Sequence, residues 1–175
     1  MPSCPRKAPE AVTTIEELSS RLGASGFLVV DIRETAAYNG WPLAGEPRGG
    51  HIPGAVSLPA SWVGDASGTH IGALLEAKGI HPDKSIVLYG AGEHDQARVA
   101  QLLRDHGCKD VRTYGAGMAE WAADDALPVA RLANYQKLVH PQWVSDLVQG
   151  LHPTTYSGKG FLLFEVGSEA RTAYS

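Results

Sequence analysis

The sequence predicts an α/β protein built on a mostly parallel sheet covered by helices. Three observations carry that expectation. Phe27-Leu28-Val29-Val30 and Ile86-Val87-Leu88-Tyr89 are nearly continuous apolar runs of strand length, the pattern of strands buried on both faces. Each run ends abruptly, one in Asp31-Ile32-Arg33 and the other in Gly90-Ala91-Gly92. Stretches with helical apolar spacing lie between the runs, and strands alternating with helices of about ten residues make parallel sheets.

Taken in order, residues 1–12 are rich in Pro and Ala and are expected to form a flexible tail. Thr13 with Glu16, or Thr14 with Glu17, forms a capping box that opens a helix with Ile15, Leu18 and Leu22 on its apolar face. Gly23 stops it. The strand at 27–30 follows, and Asp31 and Arg33 stand at its carboxyl end, the edge where open α/β sheets form ligand crevices. Residues 39–50 form a loop by their Gly and Pro content. Gly50-His51-Ile52-Pro53-Gly54-Ala55 then leads into a short strand around Val56-Ser57-Leu58. Ile71, Leu74, Leu75 and Ala77 mark a helix that ends near Gly79.

The strand at 86–89 opens the central unit. Its small-residue turn precedes a helix carrying Val99, Leu102 and Leu103 on one face, with Asp95 expected as its cap and Gly107 as its end. Val111 to Tyr114 is a further strand, and Gly115-Ala116-Gly117 turns into a helix with Met118 and Trp121. Near residue 128 the pattern restarts. Pro141–Val148 has helical spacing, Gly150 follows, and Phe161-Leu162-Leu163-Phe164 is a strand-like run ending at Glu165. That repeats the order of residues 13–31, so an internal repeat interrupted after its first strand is expected. The division is a tail at 1–12, a domain at 13–128, and a linker with the opening of a second domain at 129–175. A C-terminal extension of one domain is the alternative.

Composition narrows the function classes. The 175 residues are 43% hydrophobic with a net charge of −4, and no basic stripe suited to nucleic acid occurs. No run approaches the 18 apolar residues of a membrane span. No apolar stretch follows Arg6 and Lys7, so a cytoplasmic location is expected, or a periplasmic one if a leader has been removed. Two cysteines, Cys4 and Cys108, make neither a disulfide framework nor a CxxC. The seven histidines lack metal-ligand spacing, and Gly90-Ala91-Gly92 is too short for a dinucleotide fingerprint, so no metal and no cofactor are expected.

A strand, a tight loop and a helix N-terminus together build an anion cradle, because unpaired N–H groups and the positive end of the helix dipole face the loop. A nucleophile placed first in such a loop has its anionic form stabilised. Here that place is held by Gly90, followed by Ala91, Gly92, Glu93, His94 and Asp95. Glu93 and Asp95 set negative charge against an anionic substrate. Cys108 lies between a helix end and a strand, at the far edge of the sheet, and reads as a small half-buried hydrophobe. Cys4 lies in the tail. His94 is either an anion contact or a solvent-facing loop residue. Asp31 and Arg33 read as an ion pair bracing adjacent loops rather than an acid/base pair. Trp41, Trp62, Trp121 and Trp143 read as core or interface residues.

Asp31-Ile32-Arg33, Tyr38, Gly50-His51-Ile52-Pro53-Gly54-Ala55, Leu58-Pro59, Val87-Leu88-Tyr89 and Val111…Gly117…Trp121 together resemble the rhodanese family of sulfurtransferases. The resemblance covers about residues 13–128, and the segment from Leu138 looks like the start of a second copy. Tyr38-Asn39-Gly40-Trp41-Pro42, Leu58–Trp62 and Leu138–Trp143 look like the N-terminal part of the enterobacterial three-domain members. The resemblance implies a five-stranded open parallel sheet with helices on both faces. It also implies chemistry in which a cysteine takes sulfane sulfur from thiosulfate and passes it to a thiol or cyanide. The family's cysteine falls on Gly90, and Asp31 and His51 fall on positions that brace the loop. In the second copy the acid becomes Glu165 and the arginine position Gly167.

The expectation is therefore a cysteine-less structural or docking domain at the N-terminal side of a multi-domain sulfurtransferase. Its expected partners are further rhodanese domains of the same polypeptide and a sulfur donor or acceptor protein. A stand-alone module binding an anion or a protein is the alternative.

Overall fold

The computed structural model describes residues 12–64, 68–139, 141–153 and 156–164. The chain divides after Gln136 into two compact units. The first holds a parallel sheet of β1 (Phe27–Asp31), β2 (Val56–Ser57), β3 (Ser85–Tyr89) and β4 (Asp110–Tyr114), in the order β2-β1-β3-β4. Val30 lies opposite Val56 and Leu88, and Leu88 lies opposite Thr113. The helices are α1 (Ile15–Arg21), α2 (Thr35–Asn39), α3 (Ala60–Gly64), α4 (Gly68–Ala77), α5 (Glu93–Asp105) and α6 (Gly117–Ala123).

Each central strand sends alternate side chains into two cores. Val30, Ile86 and Leu88 join Ile71, Leu75, Val99 and Leu103 on one face. Val29, Val87 and Tyr89 join Leu18, Met118 and Trp121 on the other. That is why the runs at 27–30 and 86–89 are apolar throughout: a doubly covered strand has no wet face.

The sheet has four strands among the described residues, not the five expected. At the outer edge of β4 a single parallel bridge, Val12 to Thr113, takes the fifth position. Thr13 N–H donates to the Thr113 carbonyl at 2.9 Å. The chain then turns at once into the Thr14 cap, whose hydroxyl accepts from Glu17 N–H at 3.3 Å, so the ladder does not run on past Thr13. Most of the proposed tail, Cys4 included, lies outside the described residues.

The chain leaves this unit across its own loops. His51 and Ala130 exchange two backbone hydrogen bonds of 2.8 and 2.9 Å, and Leu132 N–H donates to the Asn39 carbonyl at 2.9 Å. A Cβ at Gly50 would stand 2.3 Å from the Ala130 oxygen, so glycine is needed for this close approach. Trp121 is fully buried and its indole N–H donates to the Pro128 carbonyl at 2.9 Å.

The second unit contains α7 (Pro141–Val148), as the periodicity predicts. Leu147 is buried, and Tyr156 meets Trp143 and Phe161 edge-on, each at a centroid distance of 6.4 Å. The expected strand at 161–164 is not formed. Those residues have no regular structure, and Leu162 and Phe164 are 83% and 79% exposed. A strand is stable only through neighbours that pair with it and cover it, so an apolar run alone does not make one. Glu165 and Gly167 lie outside the described residues.

Candidate functional site

The strand order places the site. The connection from β1 leads to β2 on one side, whereas that from β3 leads to β4 on the other, so the carboxyl ends of β1 and β3 form a topological switch point. Asp31 and Arg33 come from the first of these ends and Gly90 from the second, which brings residues far apart in sequence into one cluster.

Asp31 is fully buried, and its two oxygens hold four groups. Oδ1 accepts from Arg33 N–H at 2.9 Å and from Arg33 Nε at 3.0 Å. Oδ2 accepts from Arg33 Nη2 at 2.6 Å and from the Tyr89 hydroxyl at 2.7 Å. The Arg33 guanidinium continues to Glu46 Oε1, at 2.7 Å from Nη1, and to the Gly50 carbonyl, at 2.7 Å from Nη2. Burial pulls the Arg33 guanidinium down, but the Asp31 hydrogen bond and the surrounding negative charge more than offset this, so it is held above its ordinary value. Burial, then the Asp31 carboxylate, push the Tyr89 hydroxyl well above its ordinary range. It therefore stays a donor to Asp31 while accepting from Ile52 N–H at 3.1 Å.

His51 lies in the preceding loop. Its Nδ1 donates to the Tyr38 carbonyl at 2.7 Å, and the two rings stack at 3.7 Å between centroids. Burial draws His51 below its ordinary value against that hydrogen bond. The Tyr38 hydroxyl donates to the Ala55 carbonyl at 2.8 Å, so Tyr38 and His51 together fix the Gly50–Ala55 turn.

The loop at 90–92 is sharply turned, with φ of +89° at Gly90 and +52° at Ala91. Gln96, buried on α5, donates to the Gly90 carbonyl at 3.1 Å. A Cβ at position 90 would lie 2.3 Å from Arg33 Cγ and 2.9 Å from Cδ. The arginine stem thus fills the space into which a side chain at the head of the loop would project. The helix cap is Gly92, not Asp95 as expected. Asp95 instead pairs with Arg98 at 2.9 Å, and that cation offsets its charge. Asp95 is the third residue of the helix, whereas the cap must precede it in extended backbone, which Gly92 supplies. Glu93 and His94 are exposed.

Two cavities flank Ala91. One, of about 280 Å³, is lined by Arg33, Leu43, Glu46, Gly90, Gln96 and the Gly115–Ala119 turn. The other, of about 320 Å³, is lined by Arg33, Glu34, Leu43, Ser61, Asp95 and Arg98. Cys108 is elsewhere. It precedes β4 at the amino edge of the sheet, five strand residues or about 16 Å from the edge that carries Gly90. It is fully buried in the core rather than half-buried, and burial pushes its thiol up.

Sequence reasoning missed Glu46, Gln96 and Arg48. Arg48 caps the end of α6, donating to the carbonyls of Ala122 at 2.9 Å, Leu127 at 3.1 Å and Asp124 at 2.6 Å. Partners so distant in sequence leave no local signal, although Gln96 could have been suspected from its place one turn into α5. Among the described residues, no group of three His, Cys, Asp or Glu is placed to hold a metal, and no helix is long and apolar enough to cross a membrane.

Comparison with known proteins matches residues 14–124 to the rhodanese-like domain. Thiosulfate sulfurtransferase YnjE of Escherichia coli K12 is 27% identical over 161 residues, covering 92% of this chain and 35% of that protein. Thiosulfate sulfurtransferase of Azotobacter vinelandii is 31% identical over 125 residues, covering 69% of this chain and 46% of its own. The anaerobic ergothioneine biosynthesis enzyme of Chlorobium limicola, solved with trimethyl histidine, superposes with a TM-score of 0.72 at 34% identity. That match covers 86% of this chain and 35% of that one. This chain thus spans between a third and a half of the relatives it matches.

Proposed function

We infer that this chain, which belongs to the rhodanese-like domain family, serves as a non-catalytic rhodanese module within a longer thiosulfate sulfurtransferase. One observation carries the reading: at the head of the cradle loop stands Gly90, and the Arg33 stem occupies the space where a reactive side chain would project. Sulfur transfer by a thiol needs a thiolate there, held by the helix N-terminus and open to the donor. Cys108 is buried at the opposite edge, with its thiolate disfavoured.

The family residues keep a structural task in this reading. Asp31, Arg33 and Tyr89 lock the carboxyl ends of β1 and β3 together, and His51 with Tyr38 fixes the neighbouring turn. Residues 129–175 are read as a linker and the opening of a second rhodanese unit. Support comes from the match to YnjE, which covers more of this chain than the first unit alone holds. The partners of this module are then further rhodanese domains of the same polypeptide, and a protein that gives or takes sulfur. A sulfur carrier protein, TtuD of Thermus thermophilus, is 31% identical over 119 residues, which favours that partner class.

The test is thiocyanate formation from thiosulfate and cyanide. The chain is expected to be no faster than buffer. Turnover that survives Cys4→Ser with Cys108→Ser would overturn the reading, and turnover lost with Cys108→Ser alone would reassign the nucleophile.

A further inference from the structure

The Glu46 carboxylate has the surroundings of a bound ligand. One oxygen accepts from Arg33 Nη1 at 2.7 Å, and the other accepts from Leu43 N–H at 3.0 Å. Both side chains of the ion pair are almost closed to solvent, at 3% for Arg33 and 7% for Glu46. Arg33, Leu43 and Glu46 all line the cavity of about 280 Å³ that opens beside Gly90. The carboxylate reaches this place because the Leu43–Glu46 turn closes on itself, Glu46 N–H donating to the Leu43 carbonyl at 3.0 Å.

We propose that the donors on the wall of this cavity form a small-oxyanion site already occupied by the protein's own Glu46, which acts as a tethered stand-in for the ligand. The two donors it uses, a guanidinium nitrogen and a backbone N–H, are the pair that recognises two oxygens of a carboxylate, sulfate or thiosulfate. Charge explains the occupation. Asp31 and Glu46 already set two negative charges on one guanidinium, so a free anion would add a third. With Glu46 removed, Arg33 keeps its Asp31 bonds but offers Nη1, and Leu43 N–H loses its acceptor. An external oxyanion then restores the charge and both hydrogen bonds. The turn at 43–46 is accordingly a strap over the cradle, and whatever draws it away exposes an anion site.

The experiment compares the intact chain with its Glu46→Ala variant, titrated with sulfate, thiosulfate and acetate at fixed ionic strength against chloride. Thermal unfolding and backbone amide NMR are the readouts. The variant is expected to be stabilised by these anions with an apparent affinity about tenfold or more above the parent, the scale of a charge-assisted hydrogen bond. The amide shifts should centre on Leu43 and Gly90–Gly92. An equal response from parent and variant, or shifts centred elsewhere, would overturn the proposal. If Glu46→Ala does not fold in chloride, refolding in acetate is the measurement: recovery supports an acetate ion in the vacated place, and failure to recover overturns it. Neither result bears on thiocyanate formation, so this proposal and the non-catalytic reading fail separately.

Discussion

Replacing Gly90 by cysteine is the direct test of whether the cradle lacks only a nucleophile. On the non-catalytic reading proposed above, a nucleophile alone is not enough. At φ +89° an L-residue is strained by about 1–2 kcal/mol. The new Cβ would overlap Arg33 Cγ at 2.3 Å, and overpacking of this kind costs roughly 1–3 kcal/mol. Arg33 cannot easily withdraw, because it would release the bonds to Asp31, Glu46 and the Gly50 carbonyl together. Gly90→Cys should therefore lose about 2–5 kcal/mol of stability, the sum of the two contributions. Electrostatic repulsion is the smaller obstacle. Exposed Glu93 contributes about 1 kcal/mol at 4 Å in water, and Asp95 is offset by Arg98. The triple change Gly90→Cys, Glu93→Gly, Asp95→Arg should then gain little over the single one, since it sets an arginine beside Arg98 and leaves the Arg33 stem in place. Urea unfolding followed by circular dichroism, with thiocyanate formation measured on the same samples, decides it. A Gly90→Cys variant within about 0.5 kcal/mol of the parent, the range of ordinary surface changes, would refute the steric argument.

Three further outcomes are expected. Tyr89→Phe removes a donor from buried Asp31 and strands Ile52 N–H, so urea unfolding should show a loss of about 1–3 kcal/mol. His51 has its folded value depressed, so between the folded and unfolded values the unfolded chain binds more protons and stability falls as the pH drops below about 6.5; His51→Gln should flatten that part of the profile measured from pH 7.5 to 5.5. Arg48→Ala should cost about 1.5–3 kcal/mol in the same assay, because a single cation satisfies the end of α6.

How far the sequence reaches depends on where the partners lie. The strands at 27–31 and 85–89 are legible because burial on both faces demands apolar residues throughout, and Thr14 is legible because its hydrogen bond closes within three residues. The five-residue helices α2 and α3 are too short to show a period, so they pass unseen. Phe161–Phe164 misleads for the converse reason: the run has the composition of a strand without the neighbours. At the site, the glycine at the head of the loop and the Asp31–Arg33 pair can be read directly. The occupation of the loop by the Arg33 stem cannot, since it depends on an approach between residues 57 positions apart that only the sheet order creates.

The stitched exit of the first unit bears on where such a module can be cut. The family match stops at residue 124, yet Trp121 takes its indole acceptor from Pro128, His51 its backbone partner from Ala130, and Asn39 its amide donor from Leu132. A recombinant fragment trimmed to the matched span would lose the hem that closes its fabric and bare the face of Trp121 to water. Residues 125–136 therefore belong to the expressible module, and a graft of this domain into a chimaera should carry its seam past Gln136.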